Sequence, residues 1–242
     1  MAGLTYVGHA TVLIDMDGVR LMTDPVLRPR VMHLRRHGTA PAGALRGIDA
    51  VLVSHAHWDH LDLPSLERVG RETPIVCAKG LGGLLRRKRF RHVLEIGVGE
   101  DVQVGPLTVT ATFADHEGSR GPFGISAPPV GFVIAGSRRI YFPGDTDLFG
   151  GMADLAPLDV ALLPVWGWGP SLGPGHLDPR RAAEALTLLR PCIAVPIHWG
   201  TLAPIGRSPD LDPPHSFARH AAEIAPEVEV RIVSPGAALE LR

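Results

Sequence analysis

Short apolar or alternating segments separated by turn residues dominate the chain, a pattern typical of β-strands. The Asp17-Gly18 dipeptide lies between two of these segments and indicates a hairpin turn. The predicted strands are Thr5–Val7, Thr11–Asp15, Val19–Thr23, Ala50–Ser54, Pro74–Cys77, Val93–Ile96, Leu107–Phe113, Val130–Ala135, Arg139–Phe142, Val160–Pro164, Cys192–Ile197, Glu229–Val233 and Ala238–Leu241.

Helical patterns are fewer, and the best defined has both ends marked in the sequence. Asp178 is a favourable N-cap, Pro179 suits the first helical position, and Pro191 stops the pattern. The predicted helices are Pro64–Val69, Leu81–Arg89, Pro179–Arg190 and Ser216–Ile224. No linker or short repeat divides the chain. We therefore predict one α+β domain over residues 1–242, with two β-sheets face to face and helices outside.

The charges nearly cancel, with 24 Lys and Arg against 25 Asp and Glu, while the chain carries 12 His and 2 Cys. This balance disfavours a nucleic-acid or anionic-membrane partner, which usually requires a large basic excess. No apolar stretch approaches the ~20 residues that span a bilayer. The first residues read as a strand and not as a signal peptide, and Cys77 and Cys192 indicate no disulfide framework. We expect a cytoplasmic protein with a small-molecule substrate, and homo-oligomerisation stays open.

Four side chains of metal-ligand type follow the strand that ends at Ser54. They are His55, His57, Asp59 and His60. A metal ion would compensate for bringing three imidazoles together, and imidazole with carboxylate suits Zn²⁺, with Mn²⁺ or Fe²⁺ as alternatives. In a turn, the first two histidines can point one way while the last two residues point another. The cluster therefore suggests two metal ions.

Three further candidates end other predicted strands: His116, Asp145 and His198. Taken singly, each has a structural alternative, as a capping aspartate in a turn or as a core histidine with one hydrogen bond. Because strand ends converge on one edge of a sheet, we expect the three to lie near the first cluster.

Together these motifs resemble the metallo-β-lactamase superfamily. His-Ala-His-Trp-Asp-His at 55–60 matches its HxHxDH signature, and Gly-His-Ala-Thr at 8–11, Thr-Asp-Pro at 23–25 and Pro-Ile-His-Trp-Gly at 196–200 are similar to one branch. That branch contains L-ascorbate-6-phosphate lactonase and N-acylphosphatidylethanolamine-hydrolysing phospholipase D. The resemblance implies an αββα sandwich with two divalent ions. One ion would be held by His55, His57 and His116, the other by Asp59, His60 and His198, with Asp145 bridging them.

The resemblance also implies a hydrolase. The two ions would lower the pKa of a bound water, so that hydroxide attacks an ester, lactone or phosphodiester bond of a small substrate. Asp59 would receive the proton. His176, which precedes the helix at Pro179, would stabilise the oxyanion or protonate the leaving group.

Residues around this centre have weaker signals. Metal-bound imidazoles usually donate their second N–H to a carboxylate or carbonyl, which makes Asp24 a candidate partner, with His9 beside it. The segment 28–36 contains four arginines and could cover the site and bind an anionic substrate. Further candidates for substrate contacts are Arg120, Trp166, Trp168 and Phe123.

Three other functions compete with this interpretation. A phospholipase D-like phosphodiesterase would act on a lipid or a nucleotide, but the phospholipases usually have Trp after the third ligand histidine, where this chain has Glu117. A diiron oxidoreductase of the same fold would carry a carboxylate at position 57, which is His here. A non-catalytic metal-binding module is disfavoured because all seven ligands are present.

Overall fold

Two seven-stranded sheets carry the site in this computed structural model, which describes residues 2–41, 43–121, 124–169 and 171–241. The first sheet has the order β17-β1-β2-β3-β6-β7-β8 and the second the order β16-β14-β13-β12-β11-β10-β9. The strands are β1 (Ala2–Gly8), β2 (Thr11–Met16), β3 (Val19–Thr23), β4 (Arg30–Val31), β5 (Leu34–Arg36), β6 (Ala50–Val53), β7 (Ile75–Ala78), β8 (Val93–Ile96), β9 (Asp101–Val104), β10 (Leu107–Phe113), β11 (Val130–Ala135), β12 (Arg139–Phe142), β13 (Leu158–Pro164), β14 (Pro191–Ile197), β15 (Leu202–Pro204), β16 (Glu229–Val230) and β17 (Ala238–Leu241).

The helices are α1 (Leu63–Val69), α2 (Gly82–Arg87), α3 (Pro179–Leu189) and α4 (Pro213–Ile224), with a 3₁₀ helix over Gly150–Leu155. Asp178 caps α3 by accepting a hydrogen bond from the Arg181 amide, and Arg190 ends it in a left-handed conformation. Helices α3 and α4 pack against each other and against the second sheet. One hydrophobic cluster contains buried side chains of both sheets. The predicted two-sheet α+β architecture is confirmed. Among the described residues, no helix is both long and apolar enough to cross a bilayer.

Strand direction brings the candidate ligands to one edge of each sheet. In the first sheet, β1 and β3 are both antiparallel to β2, and β3 is parallel to β6. In the second sheet, β10 and β12 are both antiparallel to β11, and β12, β13 and β14 are parallel. The strands that precede the candidate residues in each sheet therefore run in the same direction and end at the same edge.

A three-stranded sheet of β4, β5 and β15 was not predicted. Its strands are two or three residues long and lie in an arginine-rich or a proline-rich segment, so their own sequence gives little strand signal. It has a separate hydrophobic cluster of Val26, Val31, Leu34 and Leu202, against which Trp168 packs. This small sheet holds the segment 30–36 beside the edge where the candidate ligands lie.

Candidate metal centre

Four imidazole- and carboxylate-bearing residues form one cluster, two of them after β6 of the first sheet and two after β10 and β12 of the second. The ligand atoms of His55, His57, His116 and Asp145 all lie within 4.8 Å of one another. His116 Nε2 is 3.1 Å from His57 Nδ1, and His55 Nε2 is 3.9 Å from Asp145 Oδ2. Among the described residues this cluster is one of three groups that could hold a metal ion, and the third, Asp24, His55 and His60, shares a histidine with each of the other two.

A second cluster lies beside it and contains His9, Asp59, His60 and His198, again with ligand atoms within 4.8 Å of one another. His60 Nε2 and His198 Nε2 are 3.2 Å apart. His9 Nε2 is 3.1 Å from Asp59 Oδ2. His9 therefore belongs to the same cluster as Asp59, His60 and His198, the three residues predicted from the sequence as ligands of one ion.

Asp145 lies between the two clusters. Its Oδ1 is 3.1 Å from His198 Nε2, and its Oδ2 is 3.1 Å from His60 Nε2, while its side chain also belongs to the first cluster. The carboxylate is almost fully buried. A carboxylate that contacts both groups is positioned to be shared by two cations.

Hydrogen bonds on the outer side of the first cluster fix which imidazole nitrogen faces inward. His116 Nδ1 lies 2.8 Å from the Gly175 carbonyl and His57 Nε2 lies 3.1 Å from the Ser119 carbonyl, so both nitrogens must donate. His55 Nδ1 lies 2.9 Å from the Ser54 hydroxyl, whose own proton goes to Asp24. The remaining nitrogen of each ring is then an acceptor that points into the cluster.

The second cluster shows the same arrangement. His198 Nδ1 donates to the Trp166 carbonyl at 2.6 Å, and His60 Nδ1 donates to Asp24 Oδ2 at 2.7 Å. When both rings are neutral, their Nε2 atoms face each other as acceptors, as do His57 Nδ1 and His116 Nε2 in the first cluster. Two lone pairs about 3 Å apart repel unless a proton or a metal ion lies between them. The donor chemistry of both clusters fits a metal ion.

The protonation states agree with this fit. Burial lowers the pKa of His55, His57 and His116, and lowers that of His198 to about 3. These four imidazoles are therefore neutral at neutral pH, the form that binds metals.

The carboxylates stay ionised. Burial opposes this, but the hydrogen bond from His9 holds the pKa of Asp59 well below its usual range, and the neighbouring His198 and His60 do the same for Asp145. Burial also opposes charge on His60, yet the Asp145 and Asp24 carboxylates raise its pKa well above the usual value. The negative potential that favours a proton on His60 would equally attract a cation.

Comparison with known proteins decides the family. Residues 19–199 match the model of a beta-lactamase superfamily domain. The chain is also 30% identical over 246 residues to a UPF0173 metal-dependent hydrolase of Methanopyrus kandleri, covering 98% of this chain and 99% of that protein. This chain belongs to the metallo-β-lactamase superfamily.

Two further relatives extend the comparison. An N-acyl-phosphatidylethanolamine-hydrolyzing phospholipase D of Caenorhabditis elegans is 32% identical over 229 residues, covering 81% of this chain and 63% of that protein. The structure of Igni18, a metallo hydrolase from the archaeon Ignicoccus hospitalis, aligns with a TM-score of 0.77 and 26% identity over 100% of this chain and 99% of that one. The predicted superfamily and the predicted enzyme class, a metal-dependent hydrolase, are confirmed.

The Asp24 carboxylate is fully buried and orients Ser54 and His60. It accepts hydrogen bonds from the Ser54 amide at 2.8 Å and the Ser54 hydroxyl at 2.5 Å, besides that from His60. His9, Asp24 and His198 adopt positive φ angles of 59°, 30° and 65°. Non-glycine residues rarely occupy this region, and such strain is concentrated at functional sites. The three turns aim these side chains at the two clusters.

Arg120 holds the loop that carries the HxHxDH motif. Its guanidinium donates to the carbonyls of Ala56 and Leu61 and lies 3.9 Å from the centroid of the Trp58 ring. Burial lowers the pKa of Arg120 to about 10, so the group stays charged at neutral pH. Arg120 lines a cavity beside the two clusters, but its N–H groups already donate to protein carbonyls, so its role is to position the loop of the HxHxDH motif.

We therefore expect Arg120→Leu to lower the free energy of unfolding by about 2–4 kcal/mol, since two carbonyls lose their donor and the Trp58 ring loses its cation. Urea denaturation measures the change. Arg180→Leu is the matched control, because Arg180 is exposed and pairs with Glu184 one turn away, and its loss should cost less than about 0.5 kcal/mol. Equal effects of the two substitutions would contradict this role.

Four residues of the segment 28–36 line the cavity, but its arginines lie elsewhere. Arg28 Nη2 pairs with Asp62 Oδ1 at 2.7 Å, and Arg36 is buried, donating to the Val26 and Val7 carbonyls at 2.7 and 2.5 Å. Arg30 and Arg35 are exposed outside the cavity. These four arginines are not among the residues that line the cavity, because the fold of the hairpin directs other side chains at the site. Those side chains are Val31, Met32, His33 and Leu34.

Of the remaining candidate residues that the structure describes, Trp168 and His176 line the cavity and Trp166 packs against the hydrophobic core. Trp168 Nε1 donates to Asp59 Oδ2 at 3.0 Å and its ring lines the cavity. His176 also lines it, with Nε2 3.5 Å from Asp145 Oδ2. Trp166 instead packs its ring against the main hydrophobic cluster and contributes its carbonyl to His198. Phe123 lies outside the described residues.

Sequence reasoning assigned no role to His33, which lines the cavity with its ring 4.9 Å from that of Trp168. It also missed the carbonyls of Ser119 and Gly175, which accept hydrogen bonds from two candidate ligands. The apolar Val31 and Leu34 on either side of Met32 and His33 were the only available signal for a hairpin in this segment.

Proposed function

We propose that this protein is a dinuclear metal-dependent hydrolase that cleaves an ester, lactone or phosphodiester bond of a small substrate. The observation that carries the proposal is the pair of clusters in which imidazole acceptor nitrogens face each other about 3 Å apart, with Asp145 in contact with both. The relatives named as metal-dependent hydrolases support the reaction class.

The proposed ligands of one ion are His55, His57 and His116, and those of the other are Asp59, His60 and His198, with Asp145 shared. His9 belongs to the same group as the second set of ligands, and because its Nε2 donates to Asp59 Oδ2 it would orient that carboxylate. Nitrogen and oxygen donors without thiolate favour zinc, with manganese or iron as alternatives. Two bound ions would supply an activated water and polarise the scissile carbonyl or phosphoryl group.

Two side chains of the cavity wall would handle protons. Asp59 stays ionised and has one oxygen held by Trp168 and His9, which orients it as a proton acceptor. His176 is half-buried, and although burial opposes its charge, the hydrogen bond to Asp145 raises its pKa. It can therefore carry a proton at neutral pH and donate it to a leaving group or to a developing oxyanion.

A phosphodiesterase acting on lipids is the second candidate, and the phospholipase D of C. elegans favours it. The run that follows His116 departs from the phospholipase pattern, with Glu117 where those enzymes usually have Trp. A phosphodiester therefore belongs in the substrate panel that tests the proposal.

The test combines metal analysis with hydrolysis. We expect about two divalent ions per purified chain by inductively coupled plasma mass spectrometry, and turnover of a 4-nitrophenyl ester, an aryl lactone or bis(4-nitrophenyl) phosphate that stops on chelation and returns with zinc or manganese. His57→Ala should lose both metal and turnover while the circular dichroism spectrum is kept, whereas His92→Ala, at an exposed histidine, should change neither. Activity that survives chelation, or a chain without stoichiometric metal, would show the proposal to be wrong.

A further inference from the structure

A cavity of about 400 Å³ opens directly beside the two clusters. Asp59, Asp145, His57 and His198 contribute to its floor. The volume suits a small molecule. A substrate bound in this cavity must place its reactive bond at the floor, and the rest of the substrate must contact the other lining residues.

The apolar wall of the cavity consists of Met32, Leu34, Trp58, Trp168 and Leu172. Met32 and Trp58 are 58% and 44% exposed, and both line the same cavity. Their position at the cavity gives this exposure a function, since a substrate that covers them would remove apolar surface from water.

This wall is built before any substrate arrives. Leu34 is buried in the small cluster of the three-stranded sheet, and Trp168 packs on the same cluster. The Trp168 indole is fixed by its hydrogen bond to Asp59, and the hairpin is tied to the main body by the buried Arg36. A preformed apolar surface binds its ligand without an ordering cost.

The charges at the wall disfavour a negatively charged group on this side of the substrate. Among the described residues that line the cavity, the arginine is Arg120, whose guanidinium already serves the carbonyls of Ala56 and Leu61. The other charged groups there are the carboxylates of Asp59 and Asp145 and the imidazole of His176, whose Nε2 lies 3.5 Å from Asp145 Oδ2. Away from the clusters and from His176, an anionic substituent would thus meet apolar side chains and no uncommitted cation.

We propose that the substrate presents a neutral aliphatic or aryl group to this wall, next to the bond that is cleaved. The inference rests on the proposed function for the reaction itself. For an acyl ester, water adds to the carbonyl carbon, the carbon–oxygen bond breaks, and the products are the alcohol and the carboxylic acid. The hairpin and the loop around Leu172 then select the substrate by its apolar acyl group.

A series of 4-nitrophenyl esters from acetate to octanoate tests this selection on the metal-loaded enzyme. We expect kcat/KM to rise roughly fourfold for each buried methylene until the wall is covered. The butyrate ester should exceed the hemisuccinate ester, which has the same number of acyl carbons and a terminal carboxylate, by at least about tenfold. A flat or falling series, or a preference for hemisuccinate, would overturn the proposal while leaving the hydrolase itself intact.

Two substitutions by glutamate test whether the apolar wall causes the preference for long acyl groups. Met32→Glu and Leu172→Glu should lower kcat/KM for octanoate at least about tenfold and for acetate less than about threefold. Leu94→Glu is the matched control, because Leu94 is an exposed leucine on β8 outside the cavity, and it should leave the series unchanged. If Leu94→Glu reproduced the effect, the apolar wall would not be its source.

A binding measurement separates this inference from the proposed function. Tryptophan fluorescence should report binding of 1-octanol at least about tenfold tighter than 1-butanol, and Leu172→Glu should abolish the difference. This outcome without cleavage of any ester, lactone or phosphodiester of the panel would support the apolar site and contradict the hydrolytic proposal. Equal affinities for the two alcohols would overturn the apolar site whether or not esters are cleaved.

Discussion

Asp145→Asn should lower kcat/KM by roughly 10²–10³-fold and reduce the metal content below two ions per chain. The substitution keeps the shape of the side chain and removes its charge. Asp145 contacts both clusters through its two oxygens, so the loss of one negative charge weakens the attraction for both cations at once. Metal analysis and steady-state kinetics on the same preparation measure the two effects together.

The matched control is Asp154→Asn, the same substitution at an exposed aspartate of the 3₁₀ helix. It should change neither metal content nor turnover. If Asp145→Asn bound two ions with unchanged kcat/KM, the idea that this carboxylate is shared by two cations would be wrong.

Gly144→Ala should cost roughly 2–4 kcal/mol of unfolding free energy and lower activity as well. Gly144 has a φ of 66°, and an added Cβ would lie 2.5 Å from the Ser54 Cβ and 2.7 Å from its hydroxyl oxygen. Ser54 precedes His55 and hydrogen-bonds Asp24, while Gly144 precedes Asp145. The clash would therefore push apart the two loops that carry ligands of the first cluster.

Gly150→Ala provides the comparison, because an added Cβ there meets no atom within 4 Å. Its free energy of unfolding should stay within about 0.5 kcal/mol of the parent protein. The two variants can be compared by urea denaturation and by metal content. Equal midpoints for Gly144→Ala and Gly150→Ala would show that the approach of the two loops is looser than the structure indicates.

Local patterns predicted the elements well where burial and periodicity agree. Strands β3, β8, β10, β11, β12 and β17 have the predicted bounds. Helix α3 begins at Pro179 behind its Asp178 cap, as predicted. Helix α2 spans only Gly82–Arg87, shorter than the predicted segment, because Lys88 and Arg89 leave the helical conformation. The short strands β4, β5 and β15 exist only through pairing with one another, so their own sequences could not indicate them.

The position of His9 shows the limit of sequence reasoning most clearly. It is 50 residues from Asp59 along the chain, yet the two side chains are 3.1 Å apart. A left-handed turn after β1 brings His9 to Asp59. Its ring also packs against that of His198, with the two ring centroids 3.8 Å apart. Neither feature has a sequence signal, and only the fold shows that His9 is as near to the second cluster as the ligand candidates.

By itself, the sequence determined the ligand chemistry and the order of the strands that present it. The HxHxDH motif lies within six residues, and each later candidate follows the end of an apolar strand by one to three residues, so chain connectivity fixes which residues reach the sheet edge. Only the tertiary structure decided which imidazole nitrogens face inward, because that depends on distant carbonyls such as those of Ser119 and Gly175. The tertiary structure also decided that the arginine-rich segment contributes apolar side chains to the cavity. With β4, β5 and β15 paired, Arg28 and Arg36 bind other groups of the protein, while Met32 and Leu34 line the cavity.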